Sequence, residues 1–129
     1  MKALFIFYVK NQEKSKNFYE NVLQKKPCLD VPGMTEFLLN GGYYLGLMPE
    51  AGIRRLLGEK FPDPSLGTGI PRSELYLRVQ NPQDYHERSI KNGGVHISFL
   101  EKRDWGDLVA YSLDLDGHVL AFAKSSNGE

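Results

Sequence analysis

The alternation of apolar and polar positions divides the chain into short segments. Residues 3–9, Ala-Leu-Phe-Ile-Phe-Tyr-Val, form a nearly continuous apolar run. Such a run predicts a strand covered on both faces, with Phe5, Phe7 and Val9 on one side and Leu4, Ile6 and Tyr8 on the other. From Asn11 the period changes, and Ser15, Phe18, Tyr19, Val22 and Leu23 recur along one helical face. Asn11 is the expected N-cap, Glu13 stands in the first turn, and Pro27 stops the helix. Short strands are predicted at residues 28–31, 35–39 and 43–48, with Pro32-Gly33 and Asn40-Gly41-Gly42 as turns. The first half therefore reads β-α-β-β-β.

The same order returns in the second half. Residues 74–79 predict a strand, and the stretch from Asn81 predicts a helix with Pro82 near its first turn and Gly93-Gly94 beyond its end. Strands follow at 95–100, 108–113 and 118–124. Val9-Lys10-Asn11-Gln12 aligns with Val79-Gln80-Asn81-Pro82 at a constant offset of seventy positions, so the unit is duplicated. Between the last two strands, Asp114, Asp116 and Gly117 give a hairpin signal, because glycine reaches positive φ freely and aspartate satisfies turn amides. A single α+β domain is predicted, with module one at about 1–49, a linker at 50–72 and module two at 73–125. The linker is broken by glycines and prolines and carries Arg54, Arg55 and Lys60, with a helical turn at Ile53 to Leu57. It is read as a connection that also covers a cavity.

Composition narrows the class. With 129 residues, the chain folds without staples. Sixteen basic and sixteen acidic residues cancel, which removes the basic footprint expected of a nucleic-acid or anionic-membrane binder. The one cysteine, Cys28, rules out an internal disulfide and is expected as a small half-buried residue; a reducing, cytoplasmic compartment follows. No run has the length of a membrane span, and residues 1–9 are too short for a signal-peptide core.

The Ser-x-x-Phe-Tyr-x-x-Val-Leu core of Ser15 to Leu23, Trp105-Gly106, and Asp114-x-Asp116-Gly117-His118, set in a duplicated frame, resemble the vicinal oxygen chelate superfamily: glyoxalase I, bleomycin resistance proteins and extradiol dioxygenases. The resemblance implies two tandem βαβββ modules forming curled, partly open mixed sheets around a concave cavity, assembled as a homodimer. It also implies ligand positions on the first and last strands of each module, which here are Leu4, Gly46, Glu74 and Ala121. Only Glu74 binds a cation, so no metal site and no cofactor are expected; Gly46 and Ala121 are read as leaving volume. Of the three histidines, His86 is placed at the surface, His96 on a strand face with Ser98 and Leu100, and His118 in the turn, none pairing with another at ligand spacing.

What remains is an apolar, aromatic wall with a few polar anchors, the usual make-up of a small-molecule pocket. Tyr8, Tyr44, Met48, Tyr76, Arg78 and Trp105 are the expected ligand-binding residues. Arg78 is suited to a carboxylate and Trp105 to stacking, and Glu74 is the one candidate acid or base. The leading expectation is a metal-free protein of bleomycin-resistance type that sequesters a planar or aromatic ligand. The alternative is a glyoxalase-related lyase, isomerase or dioxygenase using zinc, nickel or iron.

Overall fold

Both halves build the predicted order, and each builds its own four-stranded mixed sheet that does not close on itself. The structure is a computed structural model that describes residues 1–67 and 69–126. The first unit contains β1 (Ala3–Val9), α1 (Gln12–Leu23), β2 (Leu29–Val31), β3 (Met34–Asn40) and β4 (Tyr43–Pro49), in the sheet order β1-β4-β3-β2. β1 runs parallel to β4, and the β2-β3-β4 pairs are antiparallel.

Local chemistry accounts for α1. The Asn11 side chain accepts a hydrogen bond from the Lys14 backbone N–H at 2.9 Å, satisfying one of the orphan donors of the first turn. The predicted stripe of Ser15, Phe18, Tyr19, Val22 and Leu23 is buried throughout. The helix ends at Leu23, ahead of Pro27: Gln24 takes a left-handed conformation at φ 55°, which closes the last turn. In the sheet beside it, Phe37, Leu45 and Leu47 are fully buried, and Phe37 lies 6.4 Å from Tyr19, ring centre to ring centre. The reading of β1 as covered on both faces needs correction, since Phe5 and Ile6 are exposed; β1 is an edge strand of its sheet, paired on one side only. Cys28 is exposed rather than half-buried, because it precedes the short edge strand β2 and its Sγ reaches only the Glu36 carbonyl.

The linker contains more structure than its composition suggested. α2 (Glu50–Leu57) makes two turns and buries Ile53, and a 3-10 turn follows at Pro64–Gly67. Arg54 fastens the segment by donating to the Phe61 carbonyl.

The second unit contains β5 (Glu74–Arg78), α3 (Pro82–Lys91), β6 (Val95–Lys102), β7 (Asp107–Leu113) and β8 (Val119–Ser125), in the sheet order β5-β8-β7-β6. α1 and α3 begin at Gln12 and Pro82, which preserves the seventy-residue offset. Leu120 and Phe122 are buried on the helix side, where Phe122 meets the Tyr85 ring at 5.5 Å. The Asp-Gly hairpin forms as predicted between β7 and β8: Asp114 Oδ1 accepts from the backbone N–H groups of Asp116 at 2.9 Å and His118 at 2.8 Å.

His86 overturns the surface assignment. It is 3% exposed on the packed face of α3, and its Nε2 lies 2.9 Å from His96 Nδ1 on β6. The two histidines therefore do pair, contrary to expectation. Burial, and secondarily His96, holds the His86 imidazole below its ordinary pKa, against a smaller opposite pull from Glu87. In the unfolded chain the ring titrates near the ordinary value of 6.5, whereas the folded ring stays neutral to lower pH. The unfolded state thus takes up the proton first, and stability is full above that value and falls as pH drops below it. Urea unfolding between pH 8 and pH 5 is expected to show this decline, and His86→Gln is expected to flatten it.

Candidate ligand site on the second sheet

The site grows from strand phase. Alternation along β5 puts Glu74, Tyr76 and Arg78 on the face opposite the helix, and their partners on β8 are Val119, Ala121 and Ala123. Asp107, Val109 and Tyr111 share that face on β7, opposite Ser125, Ala123 and Ala121. Because Ala121 and Ala123 are small, side chains from β5 cross over β8 and reach β7. The Tyr76 hydroxyl donates to Asp107 Oδ2 at 2.5 Å, and Arg78 donates to the same oxygen through Nε at 3.1 Å, with Nη2 completing the ion pair at 3.0 Å.

Trp105 completes the chain of hydrogen bonds. The β6–β7 turn is closed by the Arg103 N–H to the Asp107 carbonyl at 2.8 Å, with Gly106 at φ 100°, a conformation glycine adopts without strain. The turn carries Trp105 at its tip, and the indole Nε1 donates to the Tyr76 hydroxyl at 2.9 Å. The indole is thereby pinned at its polar atom while 58% of the residue stays exposed. The Tyr76 phenol is raised above its ordinary pKa, first by burial and then by its hydrogen bond to Asp107, so it remains a donor.

A second group lies on the same face. Arg103 Nη2 donates to Ser98 Oγ at 2.7 Å, the Phe99 carbonyl at 3.1 Å and the Val109 carbonyl at 2.9 Å. Its guanidinium stands 5.2 Å from the Tyr111 ring centre. Burial first, and the Glu74 charge second, raise the Tyr111 phenol, with Arg103 opposing.

Of the anticipated residues, the structure unites Tyr76, Arg78 and Trp105, and it does so through Asp107. That residue opens β7, one position before the start at 108 that the sequence predicts. Its signal was the period of two running back from Tyr111 through Val109. Glu74 is exposed at the far end of β5 from Arg78. In the first unit, Tyr8 packs edge-on against Phe61 at 6.4 Å, and the Lys2 ammonium lies 4.3 Å over the Tyr44 ring. Met48 lines an open cavity of about 460 Å³ with Gly33, Gly52, Arg55 and Leu56.

The metal-ligand positions implied by the resemblance do not fit a metal. In the first unit Leu4 offers no donor, and a Cβ at Gly46 would stand 3.0 Å from Ile6 Cγ1 and 3.3 Å from Met34 Sδ. In the second unit Ala121 is fully buried against Val109, Tyr76 and Tyr111, which leaves Glu74 as the one donor. Gly46 and Ala121 therefore do not open volume as expected; neighbouring side chains already occupy the space. Among the described residues, Asp114, Asp116 and His118 bring ligand atoms within 4.8 Å of one another, but Asp114 is engaged by the turn amides and by His118 Nδ1 at 2.8 Å.

Tandem βαβββ modules, each with a four-stranded mixed sheet of this order, define the vicinal oxygen chelate superfamily. Within it, the chain belongs to the family of the glyoxalase-like domain, whose model matches residues 2–127. A glyoxalase-related enzyme from Fulvimarina pelagi superposes with a TM-score of 0.79 at 22% identity, over 97% of this chain and 88% of that one. A glyoxalase/bleomycin resistance protein/dioxygenase family enzyme from Burkholderia phytofirmans PsJN gives 0.79 at 13% identity, over 95% and 96%. A glyoxalase/bleomycin resistance protein from Albidiferax ferrireducens T118 gives 0.67 at 21% identity, over 94% and 95%. These likenesses carry the fold alone. A comparison with curated proteins gives no match. Among the described residues, no helix is long and apolar enough to cross a membrane.

Proposed function

We propose that the protein is a metal-free small-molecule binding protein of bleomycin-resistance type that sequesters a planar or aromatic ligand, acting in the cytoplasm as a homodimer. The observation that carries this reading is the exposed indole of Trp105, locked by Nε1 to the Tyr76 hydroxyl and so presenting its ring to solvent. An exposed indole whose polar atom is already satisfied offers apolar area at little cost in ordering, which is what stacking on a flat ligand requires. The competing reading, a glyoxalase-related metal-dependent lyase, isomerase or dioxygenase, finds one of its four ligand positions filled by a donor, Glu74.

The chain has a single tryptophan, so indole fluorescence reports on this site directly. Titration with a panel of planar aromatic compounds is expected to give saturable quenching. Trp105→Ala, followed by calorimetry, is expected to weaken the best of them roughly five-fold, the equivalent of about 1 kcal/mol of stacking. Unchanged affinity in that variant contradicts the stacking role.

A further inference from the structure

The face that holds Trp105 is graded in charge along β5. Glu74, Tyr76 and Arg78 follow one another at a spacing of two and point the same way, so a carboxylate, a phenol and a guanidinium succeed each other along the strand. The two ends of this row are held differently. Arg78 donates Nε to one oxygen of Asp107 and holds Nη2 3.0 Å from it in an ion pair; the Asp107 side chain is only 6% exposed, whereas that of Arg78 remains 67% exposed. One edge of the guanidinium is thus fixed by a buried carboxylate and the other edge is turned outward. A guanidinium constrained in this way offers a planar pair of donors, matched to a planar pair of acceptors, and loses little rotamer freedom when it engages them.

From this geometry we infer that the ligand is a flat molecule bearing a carboxylate or an equivalent planar anion, held by the outer edge of Arg78, with its ring on Trp105. Asp107 is a positioning residue that acts through Arg78. The direction of the ligand follows from charge. Its anion goes to the Arg78 end, because Glu74 repels it from the other. Its ring falls on the Trp105 side because the indole is tied into the same hydrogen-bonded chain, through the Tyr76 hydroxyl to Asp107 and on to Arg78. The Tyr76 phenol, kept protonated, presents no second negative charge beside the ligand. This inference rests on the proposed binding function and specifies the ligand class.

A matched pair of probes tests it: 2-naphthoate and its neutral isostere 2-naphthamide, each titrated against the protein labelled with 15N while the single indole N–H resonance is followed. The expected result is that naphthoate binds roughly tenfold more tightly than naphthamide. Arg78→Gln is expected to weaken naphthoate roughly tenfold and so remove that preference. Asp107→Asn is expected to reduce the preference in the same sense, a split between the two probes that loss of packing alone would not produce. Equal binding of the two probes, or a preference that survives Arg78→Gln, overturns the assignment of the anion while leaving the aromatic site standing. Failure of both probes to move the indole resonance overturns the site itself, and this inference with it.

Discussion

Alanine at position 107 is expected to destabilise the fold by about 2 kcal/mol, seen as a lower urea midpoint at unchanged slope. The carboxylate is buried, and one of its oxygens accepts hydrogen bonds from Tyr76 and from Arg78 Nε, with Arg78 Nη2 3.0 Å away in the same ion pair. Removing it leaves the half-buried Tyr76 hydroxyl without its acceptor, a loss of the size seen for one unsatisfied buried group. Arg78 softens the effect, since its side chain is mostly exposed and water replaces the missing partner. Arg78→Gln is therefore expected to cost less stability than Asp107→Ala, although both change the same ion pair. A midpoint shift of only a few tenths of a kcal/mol for Asp107→Ala would mean that the network does not hold the β5 and β7 strands of the second unit.

Gly94→Ala is expected to cost about 3 kcal/mol, at the upper end of what overpacking does. A Cβ there would stand 2.5 Å from Ser89 Oγ, 2.7 Å from the Ser89 carbonyl and 2.8 Å from the Leu113 carbonyl. Two of these atoms are backbone, and Ser89 Oγ is itself bonded to Ser112 Oγ at 2.9 Å, so the end of α3 has to lift from β7 to make room. Gly41→Ala is the matching control: a Cβ at Gly41 meets nothing within 4 Å and its φ is not positive, so little change is expected. Equal stability of the two variants, measured by chemical denaturation, contradicts this packing.

The elements that were legible from the sequence are those whose signal is local. The Asn11 cap, the α1 stripe and the Asp114 hairpin each depend on residues within a few positions, and the seventy-residue offset exposed the duplication without any contact being known. Only the second half of α2, the turn at Ile53 to Leu57, is legible, because Gly52 and the flanking Pro49 look like breakers; yet Pro49 lies outside the first turn and one glycine does not stop a helix anchored by Ile53 and Arg54. α3 was placed correctly but its buried face was not. That face consists of Pro82, His86 and Ser89, spaced as a helical stripe yet without a hydrophobic signature, which is why His86 was set at the surface.

The candidate site was legible by halves. Strand phase brought Tyr76 and Arg78 to one face, and Trp105 stood out as the lone tryptophan. Asp107 is charged and follows Arg103, Asp104 and Gly106, so it reads as loop although the period of two from Tyr111 through Val109 reaches it; pairing with Ser125 makes it the first residue of the strand. The space at Gly46 was misjudged for a related reason. Met34, which crowds it together with Ile6, lies one residue before the predicted start of its strand.

Metal retention separates a metal-free binding protein from a metalloenzyme of the same fold. The protein, purified without an affinity tag, is incubated separately with zinc, nickel, iron(II) and manganese, desalted, and its metal content measured per chain. Near-zero retention is expected for all four ions, because neither Leu4 and Gly46 in the first unit nor Glu74 and Ala121 in the second supply more than one donor. One tightly held ion per chain, lost on replacing Glu74 by Gln, would contradict it and make this chain a metalloprotein of its family.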